Sequence, residues 1–154
     1  KLKKEMTKEF IDYYSKNINK GSQPIKGIYD FLKWAKSKNI SMAVCTNKQE
    51  RLAIDLLKKL NMDEYFEYTA GSDTFEFNKP DPRHLTNVVE IIGGDLNKTI
   101  MVGDSEVDAM SASNAKLPFV LVENGYTEKT TNEIKHNVLI KDFVNFKKII
   151  EKYL

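Results

Sequence analysis

The sequence predicts an α/β fold in which helices cover both faces of a parallel β-sheet. Short apolar runs alternate with longer amphipathic stretches along the chain, and Gly, Pro or Asn residues separate many of them. Strands that are buried on both faces form such continuous apolar runs, whereas the helices that cover them show one apolar stripe. The alternation therefore indicates a three-layer α/β/α arrangement.

The first half of the chain predicts two helices before its first strand. Apolar residues near helical spacing predict a helix over residues 2–19, which ends at the Gly-Ser-Gln-Pro segment that follows, and a second helix over residues 28–39. The run Ile40–Cys45 is apolar and partly β-branched, as expected of a buried strand. A helix over residues 52–60 and a short strand over residues 66–70 follow.

The second half of the chain continues the alternation of helices and strands. The first predicted helix of this half begins at Pro80 and Pro82 and ends at Gly93 and Gly94. The predicted elements are a helix over residues 80–92, a strand over 99–102, a helix over 105–115, strands over 119–122 and 138–140, and a last helix over 143–150.

Composition excludes several classes of function. The 154 residues suit one domain, and the net charge of +2 gives no electrostatic footprint for nucleic acid. No apolar run approaches the roughly 18 residues of a membrane span, so we expect no membrane association. The single cysteine, Cys45, fits the reducing cytoplasm, which is the expected location.

Polar residues directly after the strands are the candidates for chemistry, because ligands of such sheets bind at the carboxyl ends of the strands. Thr46 and Asn47 follow the strand Ile40–Cys45 and precede a helix, whose exposed N–H groups favour phosphate. The structural alternative is that either residue caps this helix. Thr46 with Gln49, or Asn47 with Glu50, has the spacing of a capping box.

Two carboxylates follow the strand over residues 99–102. Asp104 comes directly after Gly103, and Asp108 lies one helical turn further on. Carboxylate oxygens are suitable ligands for Mg²⁺, so the pair predicts a metal site. The alternative is that Ser105 and Asp108 form a capping box, although Asp104 precedes the cap and is not needed by it.

Lys79 is the third candidate. It lies in the segment Asn78-Lys79-Pro80-Asp81-Pro82, where the two prolines stiffen the backbone around it. A lysine that is held in this way could neutralise phosphate charge or pair with carboxylates.

Taken in their order along the chain, the Thr-Asn, Lys-Pro and Gly-Asp segments resemble the motifs of the haloacid dehalogenase superfamily. The matching segments are VCTNK, NKPDP and VGDSEVDAMSASNA, and the resemblance extends over nearly the whole chain. Within the superfamily the chain is most similar to members of the phosphoglycolate phosphatase type. The resemblance implies a Rossmann-like core, Mg²⁺ as cofactor, and hydrolysis of a small phosphorylated metabolite through an aspartyl-phosphate.

The resemblance also implies a role for each candidate residue. Thr46 would hydrogen-bond the transferring phosphoryl group, Asn47 would help to position it, and Lys79 would neutralise charge on the nucleophile and phosphoryl oxygens. Asp104 would be a direct Mg²⁺ ligand, and Asp108 an indirect or additional acidic partner of the metal.

One departure from the family pattern is serious. The first motif of the family, Asp-x-Asp-Gly-Thr after a central strand, is absent, and no Asp-x-Asp occurs anywhere in the sequence. Residues 1–20 resemble the last helix of a helical cap, and residues 21–154 resemble a core that lacks its first, central strand. We therefore expect a C-terminal portion of a phosphatase that is inactive and poorly stable alone, because the neighbouring strands would have unpaired edges.

Two other functions are compatible with the same residues. The chain could be a truncated, non-catalytic protein whose partner supplies the missing strand, or part of a phosphosugar mutase of the same fold. The nucleophile motif and the cap would decide between phosphatase and mutase. The sequence does not identify the substrate, since the cap selects it in this superfamily.

Overall fold

The computed structural model describes the backbone of residues 5–8 and all of residues 24–123 and 130–152. Within these ranges the strands, in chain order, are β1 (Glu5–Lys8), β2 (Ser41–Cys45), β3 (Tyr68–Ala70), β4 (Thr99–Gly103), β5 (Phe119–Val122) and β6 (Val138–Ile140). They form one parallel sheet in the order β3-β2-β1-β4-β5-β6. The predicted parallel α/β fold is confirmed.

Helices cover the two faces of this sheet. They are α1 (Ile28–Ser37), α2 (Glu50–Lys59), α3 (Pro82–Ile91), α4 (Glu106–Asn114) and α5 (Phe146–Glu151). In the part of the chain that the structure describes, no helix combines the length and the apolar character that crossing a membrane requires.

Alternating side chains of the strands divide the core into two clusters. Val44 and Val102 pack on the face that α1, α2 and α5 cover, whereas Cys45 and Met101 pack on the face of α3 and α4. Side chains of adjacent strand residues point to opposite faces of a sheet, so both faces of β2 and β4 must be apolar. The three-layer α/β/α arrangement follows from this pattern.

The centre of the sheet differs from the sequence prediction. β1 pairs with both β2 and β4, with Glu5 opposite Ser41 on one side and Thr99 on the other. The helix predicted over residues 2–19 is therefore wrong at residues 5–8, and so is the prediction that the central strand is missing.

Backbone hydrogen bonding is the physical reason for this difference. Without β1, the inner edges of β2 and β4 would carry unpaired N–H and C=O groups in the middle of the fold, which is costly. The hydrogen bonds that β1 makes to both edges therefore outweigh the helical preference indicated by the spacing of the apolar residues. Residues 1–4 and 9–20 of the predicted cap helix lie outside the described residues, so the boundary at residue 20 stays a prediction.

Candidate active site

The candidate residues gather at the carboxyl edge of the sheet. Thr46 directly follows β2, and Asp104 directly follows β4. Because all strands are parallel and β1 lies between β2 and β4, these two residues flank the end of the central strand. Both are buried, with Thr46 0% and Asp104 8% exposed. Strand ends of this kind form the ligand crevice of parallel α/β folds.

Neither Thr46 nor Asn47 caps α2, so that alternative is wrong. The cap position is Gln49, which makes no side-chain capping hydrogen bond. Instead, the N–H of Glu50 donates to Oδ1 of Asp73, 2.9 Å away, from the loop after β3. The first turn of α2 is thus stabilised from a distant loop and not by Thr46 or Asn47.

Thr46 and Asn47 make different contacts in place of the predicted caps. Oγ1 of Thr46 accepts a hydrogen bond from the N–H of Lys48 at 3.1 Å, which fixes the turn out of β2. The side-chain amide of Asn47 donates to the carbonyl oxygen of Lys79 at 3.1 Å. Asn47 therefore joins the end of β2 to the segment that carries the candidate lysine.

Sequence reasoning missed the loop that follows β3. The N–H of Gly71 donates to Oγ1 of Thr74 at 2.7 Å, and this hydroxyl donates to Oε1 of Glu50 at 2.7 Å. A Cβ atom at Gly71 would lie 2.2 Å from the backbone nitrogen of Glu50, so the close approach requires glycine. No local signal predicts the contacts with Glu50, because Asp73 and Thr74 lie more than 20 positions from it in the chain.

Lys79 is buried and ion-paired. Its ammonium donates to Oδ1 of Asp108 at 2.7 Å, and both side chains are 2% exposed. The peptide bond between Lys79 and Pro80 is cis. The carbonyl of Pro80 accepts a hydrogen bond from the side chain of Asn114 at 3.1 Å, which ties the same segment to the end of α4.

The start of α4 contains the predicted capping box. Oγ of Ser105 accepts from the N–H of Asp108 at 3.2 Å, and Oδ2 of Asp108 accepts from the N–H of Ser105 at 3.3 Å. The same Oδ2 also accepts from the N–H of Asp104 at 3.0 Å. The Asp108 carboxylate thus stabilises the helix start, the backbone of Asp104 and the charge of Lys79 together.

These contacts separate the roles of the two carboxylates. Both oxygens of Asp108 accept hydrogen bonds, which favours an indirect role over direct metal ligation. Asp104, at the end of β4, is the better candidate for a metal ligand. Among the described residues, no group of three or more His, Cys, Asp or Glu side chains is placed to hold a metal ion.

His84 is a buried residue near the site. Its Nε2–H donates to the carbonyl of Gly71 at 3.3 Å, and Nδ1 has no partner among the described residues. Burial, together with the positive charge of Lys79, lowers the pKa of His84 to about 4. The imidazole is therefore neutral at pH 7 and anchors the loop after β3 to α3.

The hydrogen bonds connect the sequence-predicted residues into one set. Asn47 contacts the backbone of Lys79, Lys79 pairs with Asp108, and Asp108 contacts the backbone of Asp104. Thr46 precedes Asn47 in the same turn. A hydroxyl, an amide, an ammonium and a carboxylate thus meet at one strand-end crevice, which is a suitable combination for a phosphate group and a hard cation.

The fold and this strand-end site define a Rossmann-like, three-layer α/β protein. The chain belongs to the haloacid dehalogenase-like hydrolases, because residues 1–122 match the model of that family.

Bacterial phosphoglycolate phosphatases are similar to most of the chain. The enzyme of Agrobacterium fabrum is 40% identical over 148 residues, which cover 93% of this chain and 64% of that protein. The enzyme of Mesorhizobium japonicum is 38% identical over 138 residues, which cover 90% of this chain and 61% of that protein. The chain therefore spans less than two thirds of the length of either relative.

A solved structure shows the same fold. The crystal structure of a predicted phosphoglycolate phosphatase from Haemophilus somnus 129PT superimposes with a TM-score of 0.80 at 25% identity. The match covers 91% of this chain and 63% of that chain.

Proposed function

We propose that this chain forms the phosphate- and Mg²⁺-binding part of a phosphate monoester hydrolase that acts through an aspartyl-phosphate. The observation that carries the proposal is the chain of contacts from Asn47 through the buried pair of Lys79 and Asp108 to Asp104. Family membership and the similarity to phosphoglycolate phosphatases support it. The substrate is a small phosphorylated metabolite in the cytoplasm, and phosphoglycolate is the first candidate.

Phosphoryl transfer depends mainly on positioning and on cationic stabilisation of the phosphoryl oxygens. The Thr46 hydroxyl and the Asn47 amide hydrogen-bond the phosphoryl group, and the Lys79 ammonium neutralises its charge. Asp108 positions Lys79, since an ammonium with 2% side-chain exposure needs a fixed counter-charge. Asp108 also fixes the backbone at Asp104.

Asp104 is a suitable residue to supply part of the ligand set of Mg²⁺. Mg²⁺ takes oxygen ligands and usually combines one or two carboxylates with phosphate oxygens and water. Asp104 supplies such a carboxylate at the end of β4. When it is bound there, Mg²⁺ neutralises charge on the phosphate oxygens.

The nucleophile is the part of the reaction that this sequence does not supply. β1 occupies the central position of the sheet, but the residues after Lys8 read Glu-Phe-Ile-Asp and do not form the Asp-x-Asp pattern. We therefore propose that the chain alone is inactive. A partner strand is not required for the sheet, because β1 already pairs with β2 and β4.

The first experiment measures hydrolysis by the 154-residue chain alone. We expect no Mg²⁺-dependent turnover of p-nitrophenyl phosphate or 2-phosphoglycolate. Robust turnover that Asp104→Asn abolishes would contradict the proposed inactivity and would locate a nucleophile within this chain.

The second experiment restores the missing motif. A family segment in which Asp-x-Asp-Gly-Thr follows a strand is fused upstream of the chain, so that its strand takes the place of β1 between β2 and β4. We expect Mg²⁺-dependent turnover of 2-phosphoglycolate. Thr46→Val should lower kcat/KM by about 100-fold, as loss of one well-placed donor does, whereas Thr46→Ser should stay within about tenfold. A folded fusion without turnover would argue against the hydrolase function.

A further inference from the structure

A cavity of about 410 Å³ lies at the opposite edge of the sheet from the candidate active site. Its lining comes from Ala109 and Ser113 of α4, the segment after that helix, the start of β5 and the segment before β6. Because β5 runs parallel to β4, the start of β5 lies at the edge opposite Asp104. A strand of this length separates the two edges by roughly 15 Å. The part of the cavity around Lys116 and Phe119 therefore lies apart from Asp104, whereas Ala109 in its wall directly follows Asp108.

The polar side chains that line the cavity favour an anion. Both charged residues among them are lysines, Lys116 and Lys135, and hydroxyl and amide donors come from Ser113 and Asn137. Oδ1 of Asn137 accepts from the N–H of Phe119 at 2.8 Å, which leaves the amide nitrogen as a donor. In the described part of the chain, neither ammonium group has an ion-pair partner.

The backbone of Lys116 is a second, independent observation. Its φ is +60°, in the left-handed region, where it ends α4 through hydrogen bonds such as Leu117 N–H to the carbonyl of Ala112 at 2.8 Å. The residues at the same position after α1, α2 and α3 also have a positive φ, and they are Asn39, Asn61 and Gly93. Asn and Gly are the usual residues in this conformation, because other side chains are strained there.

A lysine at this position therefore needs a reason beyond the turn. Attraction to the helix carboxyl end is one candidate, but a lysine anywhere in the last turn supplies it without strain. Position 116 differs in one respect, because it places the side chain in the wall of the cavity. We attribute the presence of a lysine in this left-handed backbone conformation to the location of its side chain in the cavity wall.

We propose that the cavity is a binding site for a small phosphorylated molecule, distinct from the candidate active site. The ammonium groups of Lys116 and Lys135 bind the phosphate, and their two positive charges match a phosphate dianion. Leu117, Pro118 and Phe119 provide an apolar wall for the carbon part of the ligand. The volume lies within the range of about 300–1,000 Å³ that is typical of small-molecule sites.

The test is a titration of the ¹⁵N-labelled 154-residue chain with inorganic phosphate and with phenylphosphonate at low salt. We expect saturable shifts of the amide signals of residues 113–119 and 135–137, and tighter binding of phenylphosphonate because of the apolar wall. These signals are separate from those of residues 46–47 and 104–108, so binding at the candidate active site is distinguished directly. A linear, non-saturating response at residues 113–119 would overturn the proposal.

Matched variants show whether the two lysines are responsible. Lys116→Gly removes the ammonium and favours the left-handed turn, so the midpoint of thermal unfolding should not fall while affinity drops tenfold or more. Lys135→Ala should weaken binding to a similar degree. Lys147→Ala, on α5, and Thr46→Val should leave binding at this cavity unchanged. An equal loss of affinity in Lys147→Ala would show non-specific attraction and overturn the proposal.

Discussion

The Lys79 ammonium lies 2.7 Å from the Asp108 carboxylate, and both side chains are 2% exposed. The pair joins the segment before α3 to the first turn of α4. Asp108 also closes the capping box with Ser105, so the same side chain supports both the capping and the functional interpretation of this segment. One carboxylate thus couples the stability of a helix start to the position of the candidate cationic residue.

Replacement of Asp108 by Asn should destabilise the fold strongly. The substitution leaves the buried Lys79 charge without its counter-charge, and loss of one partner of a buried pair typically costs about 3–5 kcal/mol. We expect a loss of about 3 kcal/mol in the free energy of unfolding, measured by urea denaturation at pH 7.

The matched control is the surface pair between Arg83 and Asp81, 2.8 Å apart. Arg83→Ala removes an ion pair that solvent screens, so its effect should be much smaller. A change in Asp108→Asn no larger than in Arg83→Ala would contradict a structural role of the buried pair.

Gly103→Ala should disturb the same pair through steric contact. A Cβ atom at residue 103 would lie 2.5 Å from Oδ2 and 2.6 Å from Cβ of Asp108. Displacement of Asp108 should cost about 1–3 kcal/mol, as overpacking typically does, and thermal denaturation measures it.

Gly93→Ala is the control, because it replaces a glycine by alanine without creating a steric clash. Gly93 has φ +74°, and a Cβ atom at this residue would meet no other atom within 4 Å. Its substitution therefore adds backbone strain of about 1–2 kcal/mol but no clash. Because Lys79 pairs with Asp108, its amide NMR signal should shift in Gly103→Ala and not in Gly93→Ala. An unchanged Lys79 signal in Gly103→Ala would show that Asp108 keeps its position.

Asp73→Ala should destabilise the start of α2. The Asp73 carboxylate accepts from the N–H of Glu50, and loss of such a cap costs about 1 kcal/mol. Gln49→Ala is the control, since Gln49 occupies the cap position without a side-chain capping bond and should be nearly neutral. Urea denaturation of both variants shows whether the distant loop or a local residue caps the helix. A larger loss in Gln49→Ala would contradict the assignment.

The sequence predicted those elements whose signal is local. β2, β4 and β5 are buried along their whole length, so their apolar runs identify them without tertiary information. The Ser105 capping box was predicted for the same reason, because its partners lie three positions apart.

Features that depend on distant partners were not predicted. The strand character of β1 arises from hydrogen bonds to β2 and β4, which lie more than 30 positions away. The cap on α2 comes from Asp73, 23 positions from Glu50. The order of the motifs along the chain grouped Thr46, Lys79 and Asp104 in the prediction, whereas spacing alone left a helix cap at Thr46 or Asn47 as the alternative.

His84 should make stability depend on pH between about 6.5 and 4. In the folded protein, burial lowers its pKa to about 4, whereas an unfolded chain has a histidine pKa of about 6.5. Between these values the unfolded state binds more protons, so stability falls as the pH falls, and the contribution is complete above about pH 6.5. We expect a loss of about 2 kcal/mol over this range from His84, after allowance for partial solvation.

His84→Gln tests this contribution. Gln carries an N–H that can donate to the carbonyl of Gly71, as Nε2 does at 3.3 Å, but it does not titrate. The free energy of unfolding, measured in urea at several pH values, should show a shallower dependence in the variant between about pH 6.5 and 4. The carboxylates titrate in both proteins, so the difference between the two curves isolates His84. Parallel curves would show that the His84 imidazole is not held neutral by burial in the folded protein.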